Sequence, residues 1–262
     1  MAPNVKVKRP GKSSAKSQPS ATAIYLYGVT REARALPPNT KGVDALAVVE
    51  TIPCGGYFCW ISRVNRAEYS DRLQQNMENL EWLASASVAH HRVVGEIAKI
   101  AEILPARFGT VFLNEQSLLD DVQRRKKSLA KSFERISGTE EWGVKVFANA
   151  PPASPAVIAK SGKDYLLKKS AALDARKERK PDPELDAFAK ALGHVALDQV
   201  RGGKFSGAQR DLQFQASYLI PRKQREKFHA VLKQYAGKWH DTHRIEYAGP
   251  WPPYSFVSSD GE

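Results

Sequence analysis

Leu212-Gln213-Phe214-Gln215-Ala216-Ser217-Tyr218-Leu219-Ile220 has the cleanest period-two pattern in the chain. Leu212, Phe214, Ala216, Tyr218 and Ile220 fall on one side, and Gln213, Gln215 and Ser217 on the other. Successive strand side chains point to opposite faces, so this run predicts a sheet with one face buried and one wet, the usual signature of antiparallel sheet. Its surroundings are helical. Upstream, Leu185, Phe188, Ala189, Leu192, Val195 and Ala196 recur at helical spacing, and Gly202-Gly203 is read as the end of that helix. Downstream, Pro221 opens a helix with Phe228, Val231, Leu232 and Tyr235 inward. Ile245 and Tyr247 belong to a last strand. With a further helix from about 156 to 179, this half reads α-α-β-α-β.

The first half tells a related story. Thr22 to Val29 is strand-like, with apolar and aromatic residues on both faces. After a Pro/Asn/Gly loop (36–42), two β-rich runs, Leu46 to Ile52 and Tyr57 to Val64, flank Pro53-Cys54-Gly55-Gly56, a hairpin connection. Asn65 with Glu68 three residues on reads as a helix N-cap, followed by Tyr69, Leu73, Met77 and Leu80 at helical spacing. A second helix carries Val94, Ile97, Ala98, Ala101 and Leu104, and Pro105 closes it. Arg107 to Phe112 reads as a strand. Asn114 caps a long helix whose inner stripe is Leu118, Val122, Leu129, Phe133 and Ile136, ended by Gly138. Trp142, Val144 and Val146 lie in a closing strand. The order β-β-β-α-α-β-α-β predicts helices packed on a mainly antiparallel sheet, in a modified ferredoxin-like arrangement.

These patterns define an α+β protein of two domains, each with helices on a mainly antiparallel sheet. Residues 1–21 form a disordered basic tail. Residues 22–148 form the N-terminal domain, the Pro-rich stretch 149–155 a linker, and 156–262 a C-terminal domain with long helices.

Composition narrows the function classes. The 262 residues carry 40 basic and 28 acidic side chains, a formal charge of +12. Lys6, Lys8, Arg9, Lys12 and Lys16 in the tail and the cluster Lys168–Lys180 account for much of the surplus. Acidic partners are favoured, but whether nucleic acid, lipid or protein is left open. No run nears the roughly 18 apolar residues of a membrane span, and the N-terminus lacks a secretory apolar core. The chain is read as soluble and cytosolic. Cys54 and Cys59 have neither metal nor disulfide-framework spacing and are read as buried reduced thiols.

Chemistry-bearing motifs are sparse. P-loops, dinucleotide fingerprints, nucleophile elbows and H-E-x-x-H, C-x-x-C or paired His/carboxylate sets do not occur. His90 and His91 are adjacent and diverge on a helix. His240 and His243, three apart, are read as a solvated turn, with a weak metal site as the alternative. Arg107, in an otherwise apolar strand beside Phe108 and Gly109, needs a partner or an exit to water; an internal salt bridge is the expectation and a partner-facing cation the alternative. Gly109 suggests close backbone approach or a bulge.

The end of the ordered chain, Gly249-Pro250-Trp251-Pro252-Pro253-Tyr254-Ser255-Phe256, stiffens three aromatic residues at a terminus. Such rings are expected to dock on the protein's own core, tethering the end, rather than to stay bare as a peptide ligand. Arg107, Phe108, Gly109, Trp251, Tyr254 and Phe256 are therefore the candidate structural or partner-contact residues. No catalytic residue, cofactor or metal is expected.

Several segments, in order, resemble the gas vesicle protein F/L family (GvpL/GvpF). They are Ile24-Tyr25-Leu26-Tyr27-Gly28-Val29, Ala89-His90, Leu104-Pro105-Ala106-Arg107-Phe108-Gly109-Thr110-Val111-Phe112, Glu141 to Val146, Gly162 to Lys169, and Gly249 to Phe256. Together they span about 23–257. The basic tail does not look like part of the family pattern, and Ala106 stands where a bulkier residue often sits. The resemblance implies two α+β domains and a non-enzymatic accessory or minor structural role in building gas vesicles. It implies contacts with the hydrophobic major wall protein and other accessory proteins during nucleation, and a place at the gas vesicle in the cytoplasm. A small-molecule substrate and a membrane are not expected. The alternative from charge alone is a basic nucleic-acid-binding module, and a further one an enzyme site built on His90 and Arg107.

Overall fold

The computed structural model describes residues 21–149, 182–202 and 211–257. The basic tail, the linker Ala150–Pro155, the helix expected over 156–179 with its lysine cluster, and Gly203 lie outside these residues.

Two antiparallel sheets organise the described residues. The first has the order β2-β3-β1-β4, with the short β5 also on β1. Its strands are β1 (Thr22–Thr30), β2 (Glu50–Cys54), β3 (Tyr57–Asn65), β4 (Ile103–Pro105) and β5 (Val111–Phe112). The hairpin read at Pro53–Gly56 is present: Cys54 pairs with Tyr57 across Gly55-Gly56. Every pairing in this sheet is antiparallel, and the ferredoxin-like detail is not established.

Helices cover both faces of this sheet. Helix α2 (Leu80–Ile100) packs on the face of Tyr25, Tyr27 and Trp60. Helices α3 (Glu115–Arg124) and α4 (Lys126–Ile136) pack on the face of Ile24, Leu26 and Ile61. Strand β1 is consequently buried from Ala23 to Thr30, and its sequence shows no alternation because neither side meets water. The expected inner stripe Leu118, Val122, Leu129, Phe133 and Ile136 is buried throughout. The single long helix is instead two, meeting at Arg125. Asn114 caps α3 as expected, in a reciprocal box with Ser117.

The stretch from Tyr69 to Phe112 departs from expectation. Tyr69 lies in a wide turn (Ala67–Asp71), a short α1 (Leu73–Glu78) follows, and Asn79 caps α2. Leu80 is exposed rather than inward. Helix α2 stops at Ile100, and Leu104 and Pro105 belong to β4, not to the helix. Arg107 to Thr110 is a turn between β4 and β5, which lie in succession along one edge of β1. Leu26 N–H donates to the Thr110 carbonyl at 2.9 Å and Ala106 N–H to that of Tyr27 at 2.9 Å, so the edge is held on either side of the turn.

The second sheet has the order β7-β8-β6-β9. Its strands are β6 (Thr139–Ala148), β7 (Asp198–Arg201), β8 (Leu212–Pro221) and β9 (His243–Trp251). Helices α5 (Pro183–Gly193) and α6 (Arg225–Lys238) pack Phe188, Leu192, Phe228 and Leu232 on the face of Tyr218 and Val144. The alternation in β8 is realised, its first, third, fifth, seventh and ninth residues being buried. Strand β6 does not close the first sheet, as expected from the sequence; it is an inner strand of the second, paired with β8 and β9 along its length. Its apolar alternation specifies a strand but not which sheet receives it. The chain thus crosses between layers at Ser137-Gly138. The helix around Phe188 ends at Gly193, and β7 occupies the ground read as its last turns.

Candidate functional site: a Pro-aromatic strap across the seam

The terminal segment joins the two layers. It leaves β9 at Trp251, which pairs with Glu141, and turns through Tyr254–Phe256 onto the first layer. Gly249 permits the approach: its φ is +152°, and a Cβ there would stand 2.8 Å from both the Glu141 carbonyl and the Trp142 ring. Glu141 is 6% exposed, yet both its carboxylate oxygens are engaged. They accept from Ser255 N–H at 2.9 Å and Ser255 Oγ at 2.6 Å. A buried carboxylate is tolerated only when so satisfied.

On either side of Ser255 the strap divides between both cores of the first layer. Tyr254 packs on the α2-side core, with ring centroids 5.2 Å from His91 and 6.1 Å from His90. Val257 packs on the α3–α4 side. Phe256 is buried, with the Arg135 guanidinium 5.8 Å from its centroid and Arg135 Nη1 donating to its carbonyl at 3.4 Å. Arg135 also pairs with Asp198 of β7, so one side chain of α4 holds both the strap and the second sheet.

Trp251 is the exception. The expectation that it is buried in the protein's own core is corrected: 54% of it is exposed. It sits on edge strand β9, where the outward register leaves the indole at the mouth of a seam cavity of about 530 Å³. Phe256 and Tyr254, not Trp251, anchor the end.

The other candidates lie beneath the strap. Phe108 packs on the α2-side core, 5.9 Å from His90, 6.2 Å from Trp82 and 6.4 Å from Tyr25 between ring centroids. Gly109 is not a site of close approach; it adopts φ +80°, and its N–H donates to the Tyr25 hydroxyl at 3.1 Å. Arg107 is exposed and has no carboxylate partner among the described residues, which corrects the expected internal salt bridge. The turn swings Phe108 inward and puts Arg107 on the opposite, wet side. Its carbonyl accepts from Thr110 N–H and Oγ1 at 3.1 and 2.7 Å.

His90 is fully buried. The Tyr25 hydroxyl lies 2.9 Å from its Nδ1. The same hydroxyl accepts from Gly109 N–H, so Tyr25 ties the turn and the imidazole together, with the donor on the Tyr25–His90 bond set by the ring tautomer. Burial, reinforced by the neighbouring His91, pushes its pKa down to about 4. The small cavity beside Arg107 is lined by Gly28, Pro105, Leu129 and Tyr254 but not by His90. The structure therefore does not assemble these two residues into a reaction site.

Sequence reasoning missed the acids of β6. Glu140, next to Glu141, accepts from Trp142 Nε1 at 2.7 Å and from Arg225 Nε at 2.7 Å, with a second Arg225 hydrogen bond beside it. Burial raises its pKa, and the bonds from Arg225 and Trp142 more than offset this, leaving the carboxyl below the usual range. Two acids opening an apolar strand were the available signal.

The family model described as gas vesicle synthesis protein GvpL/GvpF matches residues 23–258. Gas vesicle protein L of a Streptomyces species is 29% identical over 89% of this chain and 92% of its own length. Gas vesicle protein F2 of Halobacterium salinarum is 24% identical over 91% and 93%. Among solved structures, gas vesicle protein GvpF from Microcystis aeruginosa matches with a TM-score of 0.66 at 20% identity, covering 90% of this chain and 99% of that one. GvpF from Anabaena sp. gives 0.64 at 20%, with 90% and 96% covered. These likenesses carry the two-sheet α+β fold, and the match along nearly the whole chain places it: this protein belongs to the GvpL/GvpF family of gas vesicle synthesis proteins.

Proposed function

We propose that this protein is a non-catalytic assembly factor, which binds the hydrophobic wall protein of the gas vesicle and other accessory proteins while the vesicle is nucleated. The observation that carries this reading is the family match over residues 23–258. Its physical support is a rigid body with sticky features held outward. Trp251 is exposed yet fixed by strand pairing and flanking prolines, so binding it would cost little ordering entropy. Leu80 and Val88 of α2 are exposed at 80% and 70%. Among the described residues strand β9 is an outer strand of its sheet, and an open edge can receive a partner strand. Gas vesicle assembly takes place in the cytoplasm on this reading, and no helix among the described residues is long and apolar enough to cross a membrane.

Co-expression with the wall protein, followed by affinity purification of this chain, tests the role. The expected result is co-purification that survives washing and weakens with Trp251→Ala. Recovery of this chain alone, where other accessory proteins retain the wall protein, would overturn it.

A further inference from the structure

Two adjoining cavities, with Ala98, Lys99, Ala101, Glu102 and Arg222 lining both, run along the seam as a groove. One end, of about 400 Å³, lies beside Arg31, Glu32 and Arg34 after β1. The other end, of about 530 Å³, reaches Glu140, Arg225 and the strap from Pro250 to Tyr254.

The charges of this groove do not cancel. Three carboxylates line it, and each is already engaged. Glu32 is held by Arg34, and Glu140 by Arg225. Glu102 accepts from Gly138 N–H at 2.9 Å and from Ser137 Oγ at 3.3 Å. Lys99 has its partner on its own helix, Glu96. Arg31 and Arg222 remain. Arg31 lies over the Phe133 ring at 4.9 Å from its centroid, and both guanidiniums are exposed and in no direct ion pair among the described residues, although Arg222 lies near enough to Glu140 to help hold its pKa down. The opposite end is different in kind, with the exposed Trp251 indole beside Pro252 and Pro253.

We propose that this groove receives an extended acidic segment of a partner protein, its carboxylates on Arg31 and Arg222 and an apolar side chain against Trp251. The inference rests on the assembly role and deepens it by naming the chemistry of a partner. Guanidinium forks match carboxylates in geometry as well as charge. Tryptophan and arginine are the residue types that most often dominate an interface, and here Arg31 stands at one end, Arg222 in the shared middle and Trp251 at the other end. A small anion would use only the arginine end. A nucleic acid draws its affinity from neutralising many phosphates, and two unpaired cations beside three carboxylates offer few.

The test uses the full chain and a short fluorescein-labelled peptide of alternating Glu and Leu, followed by anisotropy at low salt. The expected result is saturable binding, weakened by about tenfold or more in the Arg31→Glu/Arg222→Glu double variant. Trp251→Ala should weaken it several-fold, and Lys233→Glu, on exposed α6 surface, should leave it unchanged. Cooperative melting well above the assay temperature establishes that the variants fold. Binding that is absent, or indifferent to the double variant, overturns the proposal, as does tighter capture of a labelled DNA oligonucleotide through the same arginines. Wall-protein co-purification separates the two levels. If the wild type and double variant capture the wall protein equally and the peptide ignores the arginines, the groove inference falls and the assembly role stands. If no gas vesicle protein is captured yet the peptide binds through Arg31 and Arg222, the assembly role falls and the groove remains.

Discussion

Phe256→Ala should destabilise this protein far more than Trp251→Ala, although tryptophan is the larger residue. Phe256 is 1% exposed, so its removal forfeits full burial of the ring, and buried Phe→Ala changes cost about 3–5 kcal/mol. The site is near the chain terminus and can collapse or detach, which points to the low end, roughly 3 kcal/mol. At about 2–4 °C per kcal/mol for a chain of this size, the melting temperature should fall by roughly 6–12 °C. Trp251 keeps more than half its surface in water, and its truncation should cost roughly 1 kcal/mol, hence about 2–4 °C. Differential scanning calorimetry of the two variants and the wild type reads the difference directly. The reasoning is refuted if Trp251→Ala melts lower than Phe256→Ala, since the end would then be anchored by its indole.

Two further predictions concern buried charge and pH. Arg225→Gln strips the ionic partner from nearly buried Glu140 and should cost roughly 2–3 kcal/mol in urea unfolding, less than for a fully buried pair because Arg225 is half exposed. Glu140's own contribution is present above the usual carboxylate range and is lost as the pH falls through its lowered value, so the wild type and Arg225→Gln curves should converge in acid. His90 behaves in the same direction for a different reason. Its folded pKa, about 4, lies below the ordinary 6.5, so the unfolded chain binds the extra proton between these values, and stability drops as the pH falls through that window. His90→Phe should flatten the urea midpoint against pH between 6.5 and 4, and an unchanged slope would show that the ring is hydrated in the folded state.

What could be read from the sequence was whatever one local pattern decides. The alternation of Leu212–Ile220, the stripe from Leu118 to Ile136 and the Asn114 cap are set by neighbours in sequence, and all are realised. Sheet membership is not local: the apolar alternation of Thr139–Ala148 suits either sheet, and only its pairing with β8 and β9 places it in the second. The turn at Arg107–Thr110 was hidden because Leu104 continues the helical spacing of α2 and Pro105 reads as its stop, while both pair as a strand with Val29 and Gly28. Of the candidate residues, the sequence located the strap but not which ring anchors it. Proline stiffening says that the aromatic residues are held, whereas strand register on an edge decides that Trp251 faces out and the Ser255–Glu141 bonds decide that Phe256 goes in. The buried Tyr25–His90 contact joins residues 65 positions apart and left no local trace.

The assembly role is tested most directly by deleting the gene in its native gas-vesicle-forming host and restoring it on a plasmid, with electron microscopy of the cells. The expected result is absent or malformed vesicles in the deletion strain, recovery with the wild-type gene, and incomplete recovery with Trp251→Ala. Vesicles of normal number and shape in cells without this protein would contradict the role.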